Sequence, residues 1–238
     1  WDDWVRAHRR VRSRDLRVDR LEIRNRSEIR DDVIRSRLED HVGVPLDTGG
    51  MTADIMSLHG LELFGQVEYD LEDQNGDVVL VVDVDPPEYG RHSLRFGLGV
   101  TDDFEGENGY NIVARHRMLP ANPLGGEWLN QLQAGESQVL LTEFYQPLDR
   151  RLAWFVAPQA EVGRRNFPVW VDGQVISELW LESIGGRIDG GRALGSWGEI
   201  RLGGYWYDRK LTDRVGIPGL FDFEGLDAGV RGLFRVRT

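Results

Sequence analysis

The 238 residues carry 40 acidic and 29 basic side chains, a formal net charge of -11, and no cysteine. A polyanion would be repelled by this chain unless its basic residues were segregated, and no basic block is present, so nucleic-acid binding is excluded as a partner class. The missing cysteine rules out disulfides, thiolate metal sites and cysteine nucleophiles. No apolar run approaches the ~20 residues of a membrane helix, which leaves a membrane β-barrel open.

In chain order, residues 1–15 are charged and aperiodic and read as a linker. Leu16 to Arg24 reads as a strand, with Leu21 and Ile23 on one face and Arg20, Glu22 and Arg24 on the other. Ser27 is the expected N-cap of a helix whose first turn gathers Glu28, Asp31 and Asp32, where the helix dipole favours negative charge. Ile29, Val33, Ile34 and Leu38 keep amphipathic spacing, and Gly43 and Pro45 end the helix. A second helix is expected from Met51 to His59, burying Met51, Ile55 and Leu58 and closing at Gly60. Two strands follow, around Val67-Tyr69-Leu71 and from Val78 to Val84, joined by Gln74-Asn75-Gly76-Asp77, a strong hairpin signal. The order β-α-α-β-β predicts two helices covering one face of a three-stranded sheet.

The texture changes near Pro86-Pro87, after which helix signals vanish. "RHSLRFGLGV", residues 91–100, lacks the third glycine and following helix of a dinucleotide fingerprint. It reads instead as a strand, Leu94, Phe96, Leu98 and Val100 alternating with Ser93, Arg95, Gly97 and Gly99. Seven more strands are expected. They begin near Tyr110, Glu127, Gln138, Leu152, Val175, Glu199 and Ala228, with links such as "DDFEGEN", "PANPLGGE", "RRNFPVWVDGQ" and "RKLTDRVGIPGL". Arg95, Arg115, Arg117, Arg201, Arg231, Arg235 and Arg237 recur opposite the apolar sets. A water-soluble β-sandwich binding module gives the same alternation. Glycine on the polar face (Gly97, Gly99, Gly203, Gly229) favours a barrel, as do Trp128, Tyr145, Trp197, Tyr205, Trp206 and Tyr207 near strand ends.

The β-α-α-β-β unit resembles a POTRA domain, the periplasmic module of the outer-membrane superfamily of barrel-assembly factors and two-partner secretion transporters. "VDRLEIRNRS", "VIRSRLEDHVGVPLD", "DIMSLHGLELFGQVEYDL" and "DVVLVVDV" carry the likeness. "GEWLNQLQAGESQVLLTEFYQPLD" and "RRLAWFVAPQAE" are similar to early barrel strands of patatin-like outer-membrane proteins, in which a phospholipase domain is fused through one POTRA to a 16-stranded barrel. The resemblance implies a linker at 1–15, a POTRA at 16–88, and at 89–238 about eight antiparallel strands, half of an outer-membrane barrel. It implies a POTRA in the periplasm and a barrel in the bacterial outer membrane. Its implied partners are outer-membrane lipid, a fused or passing polypeptide passenger, and the barrel-assembly machinery for insertion. The implied function is anchoring, and translocating, an N-terminal patatin-like lipase that this chain lacks. The competing function is assembly or two-partner secretion of separate clients. Both chain ends are expected to be cuts through a longer protein, leaving unpaired strand edges near residues 91 and 238 and a tendency to aggregate.

No catalytic, cofactor or metal residues are assigned, and the chain itself is expected not to be an enzyme. Asp189-Gly190-Gly191 matches the motif of the patatin catalytic aspartate, but the partner Gly-x-Ser-x-Gly is missing, since Leu194 precedes Gly195-Ser196-Trp197-Gly198. Asp189 is therefore read as a strand end entering a tight turn. His8, His41, His59, His92 and His116 are scattered without the close pairing a metal site needs. Asp102-Asp103-Phe104-Glu105 lacks the spacing of a calcium loop and reads as a solvated turn.

Overall fold

The computed structural model of the chain describes residues 16–102, 108–171, 174–195, 197–215 and 223–236. The linker expected at 1–15, most of the acidic "DDFEGEN" run, Ser196 and Arg237 lie outside the described residues. The chain divides into two compact units, Trp1–Gly90 and Arg91–Thr238.

The first unit holds β1 (Arg20–Asn25), α1 (Asp31–Leu38), α2 (Thr48–His59), β2 (Gln66–Gln74) and β3 (Asp77–Asp85). Its sheet has the order β1-β3-β2, with β1 parallel and β2 antiparallel to the central β3. Parallel pairing of β1 with β3 requires a crossover, and the two helices supply it. Leu21, Leu80, Val82, Val84 and Val67 are buried with Val33, Ile34, Leu38, Met51, Ile55 and Leu58 from the helices.

Val79 and Val81 sit on the other face of β3, yet are 0% and 1% exposed. Arg20 and Glu72 flank Val79, and Glu22 and Asp70 flank Val81. Above them Arg20 donates to Gln74 at 2.7 Å, Arg24 to Glu22 at 3.0 Å and Gln74 to Glu72 at 2.9 Å. The stems of these long side chains lie over the valines while their charged ends stay in water.

The expected elements are present with shifted bounds: the strand expected at Leu16 to Arg24 is Arg20–Asn25, and the helix expected from Met51 begins at Thr48. Asp31 and Asp32 do occupy the first turn of α1, but its N-cap is Arg30, without a side-chain cap. Ser27 instead donates to Asn25 at 2.6 Å and accepts from the Ile29 N–H at 3.3 Å, tying the loop before the helix rather than the helix itself. A short 3-10 turn, Glu39–His41, intervenes before Gly43. The hairpin falls as expected: Asn75 and Gly76 both take positive φ, 61° and 95°, the geometry a two-residue turn between twisted strands requires.

The second unit is an antiparallel meander of eight strands. They are β4 (His92–Asp102), β5 (Asn108–Met118), β6 (Glu127–Gly135), β7 (Gln138–Pro147), β8 (Trp154–Val171), β9 (Gln174–Ala193), β10 (Gly198–Val215) and β11 (Phe223–Val236). Each strand pairs with its chain neighbours, so β4 and β11 form the two edges. The sandwich reading needs a second sheet over the apolar face, and the second unit forms one sheet among the described residues.

β8, β9 and β10 are 18, 20 and 18 residues long, and much of the sequence read as links, including "RRNFPV" and "RKLTDRV", is strand. Past Val162, Ile184 and Trp206 the next outward residue on each strand is charged: Arg164, Glu182 and Asp208. The alternation that marks a strand therefore fades, although the backbone ladder continues.

Candidate functional site: an apolar face and an ion-paired face

On β9 and β10 consecutive residues have opposite exposure, in the opposite sense to a soluble protein. Ile188 is 50% exposed beside Asp189 at 0%, and Ile200 is 50% exposed beside Glu199 at 0%. Leu202, at 65%, follows Arg201 at 4%. Leu94, Phe96, Leu98, Tyr110, Ile112, Trp128, Leu132 and Leu140 extend the exposed apolar face across β4 to β7. The polar side chains of β7 to β10 are buried against one another.

That packing is an ionic network. Asp189 on β9 accepts two bonds from Arg231 on β11, at 3.1 and 2.9 Å, and lies 3.5 Å from Arg187. Arg187 also donates to Glu143 at 3.0 Å. Glu199 accepts from Arg201 at 2.8 Å and pairs with Arg235 at 3.3 Å. Arg201 stands 3.8 Å from Glu143 and 4.0 Å from Asp189, which joins the two halves. Its guanidinium also lies over Phe155, at 5.1 Å, and Phe155 stacks on Tyr145 at 4.5 Å. Four guanidiniums thus meet three carboxylates, each held by several partners, as buried charges require. A further pair, Arg117 with Glu127 at 2.8 Å, continues the network toward β5.

Glycine makes this reach possible. Arg231, Gly203 and Asp189 form one cross-strand row, and Arg201, Gly191 and Phe155 form the next. A Cβ at 203 would lie 2.3 Å from an Asp189 carboxylate oxygen and 2.3 Å from the Ile188 carbonyl. A Cβ at 191 would lie 2.4 Å from the Phe155 ring. With the middle position bare, a side chain can cross a whole strand. Tyr205 covers Gly229, and Tyr207 covers Gly185, in the same manner.

The structure corrects two sequence expectations here. Asp189 is not a strand end entering a turn: β9 continues to Ala193, and the residue is a fully buried acceptor at the centre of the network. Nor are all the histidines apart. His92 and His116, on β4 and β5, bring ring nitrogens within 3.1 Å. They begin a polar chain on the otherwise apolar face, through Asn130 at 3.4 Å to Thr142 and then Trp128, both at 2.8 Å. Cross-strand register creates this pair from residues far apart in sequence. Among the described residues no group of three or more histidine, aspartate or glutamate side chains could hold a metal ion.

Of the network, Arg201, Arg231 and Arg235 stood out in the sequence as polar-face arginines, whereas Glu143, Arg187 and Glu199 did not. The available signal was phase: Arg187, Asp189 and Gly191 share one face, as do Glu199, Arg201 and Gly203.

The fold, an eight-stranded antiparallel meander following a small α+β unit, is shared with proteins of known structure. BamA from Haemophilus ducreyi lacking POTRA domains 1-3 superposes with a TM-score of 0.66 at 13% identity, over 91% of this chain and 43% of that one. CdiB from Acinetobacter baumannii gives 0.51 at 9% identity, over 91% and 42%. CdiB from Escherichia coli gives 0.50 at 12% identity, over 90% and 42%. The chain therefore spans less than half the length of each. No family model matches the sequence, and no curated protein does.

Proposed function

We propose that residues 89–238 are the first half of a transmembrane β-barrel in the bacterial outer membrane, and that residues 16–88 are a periplasmic POTRA domain feeding it. The observation that carries the reading is the inverted exposure of neighbouring residues on β9 and β10. In water those isoleucines and leucines would be buried and the carboxylates exposed; against lipid the order reverses. On β8 the outward residues run apolar from Trp154 to Val162. At ~3.3 Å per residue and a tilt of ~40° this covers roughly 20 Å, close to the ~25 Å apolar band of such barrels. The ion-paired face then lines a hydrated interior.

The POTRA assignment is supported by the β-α-α-β-β order and by coverage: 91% of the chain matches the BamA structure, more than residues 91–238 alone could supply. As for activity, we assign the protein to the handling of polypeptide at the outer membrane. Its partners are membrane lipid, a polypeptide passenger and the machinery that inserts barrels. The sequence likeness to patatin-like proteins favours a fused lipase as the passenger. The shared fold with BamA and CdiB favours separate clients. The sequence upstream of Trp1 discriminates: a Gly-x-Ser-x-Gly elbow supports the first, and additional β-α-α-β-β units support the second.

The membrane assignment is tested by refolding the chain into lipid vesicles and floating them on a density gradient. Co-flotation with protease-protected strands supports it. A monodisperse, cooperatively unfolding protein in detergent-free buffer overturns it.

A further inference from the structure

At the end of the meander where the chain enters β4, one outward-facing row runs Trp154–Arg192–Ile200–Phe234 through β8, β9, β10 and β11. The Arg192 guanidinium lies 5.6 Å from the centre of the Trp154 ring, and at the other end of the row Phe234 meets Trp197 edge-on at 5.9 Å. Aromatic side chains are favoured where the hydrocarbon of a bilayer gives way to head groups. Arg192 is the charged member of a row that is otherwise aromatic or aliphatic, and it is exposed.

Among the described residues Arg192 has no carboxylate partner. Asp189 and Glu199, on its own and the next strand, face the other side of the sheet, and the next outward row toward the middle of the apolar band is Val156–Gly190–Leu202–Gly232. The adjoining turn between β7 and β8 carries exposed Arg150 and Arg151 against Asp149, whose carboxylate accepts from the Ala153 and Trp154 N–H groups at 3.2 and 2.7 Å. Directly below Arg192, on the same strand and face, stands Gly190, where an added Cβ would meet nothing closer than the Phe155 carbonyl at 4.0 Å. That bare position, between Val156 and Leu202, leaves a groove running from the guanidinium into the apolar face.

We propose that Arg192 and Trp154 seat the head group of an anionic phospholipid, its phosphodiester on the guanidinium and one acyl chain over Gly190 between Val156 and Leu202. The proposal rests on the lipid-facing assignment of the apolar face and on the periplasmic assignment of residues 16–88. Those residues feed β4 at this end of the strands, so the row meets the periplasmic leaflet, which is built of phospholipid. A guanidinium offers a phosphodiester two parallel N–H donors, and the contact with Trp154 restricts where it points. The unpaired cation selects net negative charge, because a zwitterionic head group would bring an ammonium with no carboxylate on these rows to receive it. The groove selects a lipid over a free phosphate, which has no chain to fill it.

The test uses the full chain in detergent micelles doped with phosphatidylglycerol, phosphatidylethanolamine or phosphatidylcholine, with retained lipid counted by native mass spectrometry. The expected result is one retained phosphatidylglycerol, favoured about fivefold over the other two, the scale of one arginine near an anionic lipid surface. Arg192→Gln should erase the preference. Gly190→Leu, which fills the groove and leaves the charge in place, should lower retention of phosphatidylglycerol. Lys210→Gln, at the opposite end of the strands, should change neither. Unchanged far-ultraviolet circular dichroism verifies that each variant folds. Equal retention of the three lipids, a preference for phosphatidylethanolamine, indifference to Arg192→Gln or to Gly190→Leu, or an equal loss in Lys210→Gln overturns the proposal. If the wild-type chain floats with vesicles while showing no head-group preference, the head-group site fails and the membrane assignment stands. If it does not float, both fail.

Discussion

Arg231 reaches over the full width of β10 to place two guanidinium nitrogens on Asp189, at 3.1 and 2.9 Å, and the residue it crosses is Gly203. Pairing between strands that are not neighbours is what turns a polar sheet face into a closed network. It also explains how Asp189 is fully buried although the second unit forms one sheet among the described residues: the arginines themselves cover it.

Adding one methyl at this position should undo the arrangement. In Gly203→Ala the new Cβ would meet the Ile188 carbonyl at 2.3 Å, a backbone atom that cannot swing away. Overpacking combined with a weakened buried pair should cost about 2–4 kcal/mol. Gly204→Ala is the control, because its Cβ points to the other face and meets only the Gly229 carbonyl at 3.8 Å. Denaturant unfolding in detergent should separate the two adjacent variants clearly. Equal midpoints would show that the crossing contributes nothing.

Asp189→Asn addresses the motif that resembles a catalytic aspartate. The substitution removes a charge shared by Arg231, Arg187 and Arg201. Three guanidiniums facing a neutral amide should destabilise the sheet by about 2–4 kcal/mol. Esterase assays on the wild-type chain and the variant should both read background. Turnover by the wild type that disappears in the variant would return Asp189 to a catalytic role.

The strands were legible wherever one face is apolar, because period-two alternation is itself the physical signature of a two-sided sheet. It failed from Arg164 to Val171 and from Asp208 to Val215, where charged, polar and proline residues break the alternation and the pattern no longer distinguishes strand from loop. The network was less legible. A charged residue on a polar face reads as solvated, and only the register shows that Glu143, Arg187 and Glu199 converge. His92 and His116 were hidden for the same reason, since they meet only once β4 and β5 are paired. In the first unit the Asn75-Gly76 turn and the helix cores were readable, whereas Ser27 satisfied the rule for a cap while its hydroxyl had a nearer partner in Asn25.

Acid should act on the first unit through Asp85. The Arg26 guanidinium, hydrogen-bonded to it, holds its carboxyl below the ordinary range, outweighing the opposing effect of burial. Glu22 is lowered in the same direction, first by Arg24 and then by Gln74. A carboxyl whose folded pKa is depressed stabilises the fold above its unfolded pKa of ~4 and loses that contribution as pH falls through the folded value. Both groups are well solvated, so the effect should be small and weaken with salt. Carboxyl resonances followed by NMR should place Asp85 lower in the wild type than in Arg26→Gln. Coincident titrations would remove Arg26 as the cause.

Charge placed on the apolar face should prevent membrane entry without disturbing the network behind it. Ile188 and Leu202 point away from Asp189 and Arg201 and are 50% and 65% exposed. Near the middle of a bilayer, an arginine at either site should cost roughly 2–4 kcal/mol. Ile188→Arg and Leu202→Arg should therefore shift the chain from floating vesicles to the unbound fraction by tenfold or more. Val100→Arg, at the far end of β4 on the same face, should have a smaller effect, because the cost falls toward the interface. Were the face instead to dock on a soluble partner, depth would carry no meaning, and vesicle flotation would ignore all three substitutions. The gradient in the response, more than the loss at any one site, is what a bilayer alone would produce.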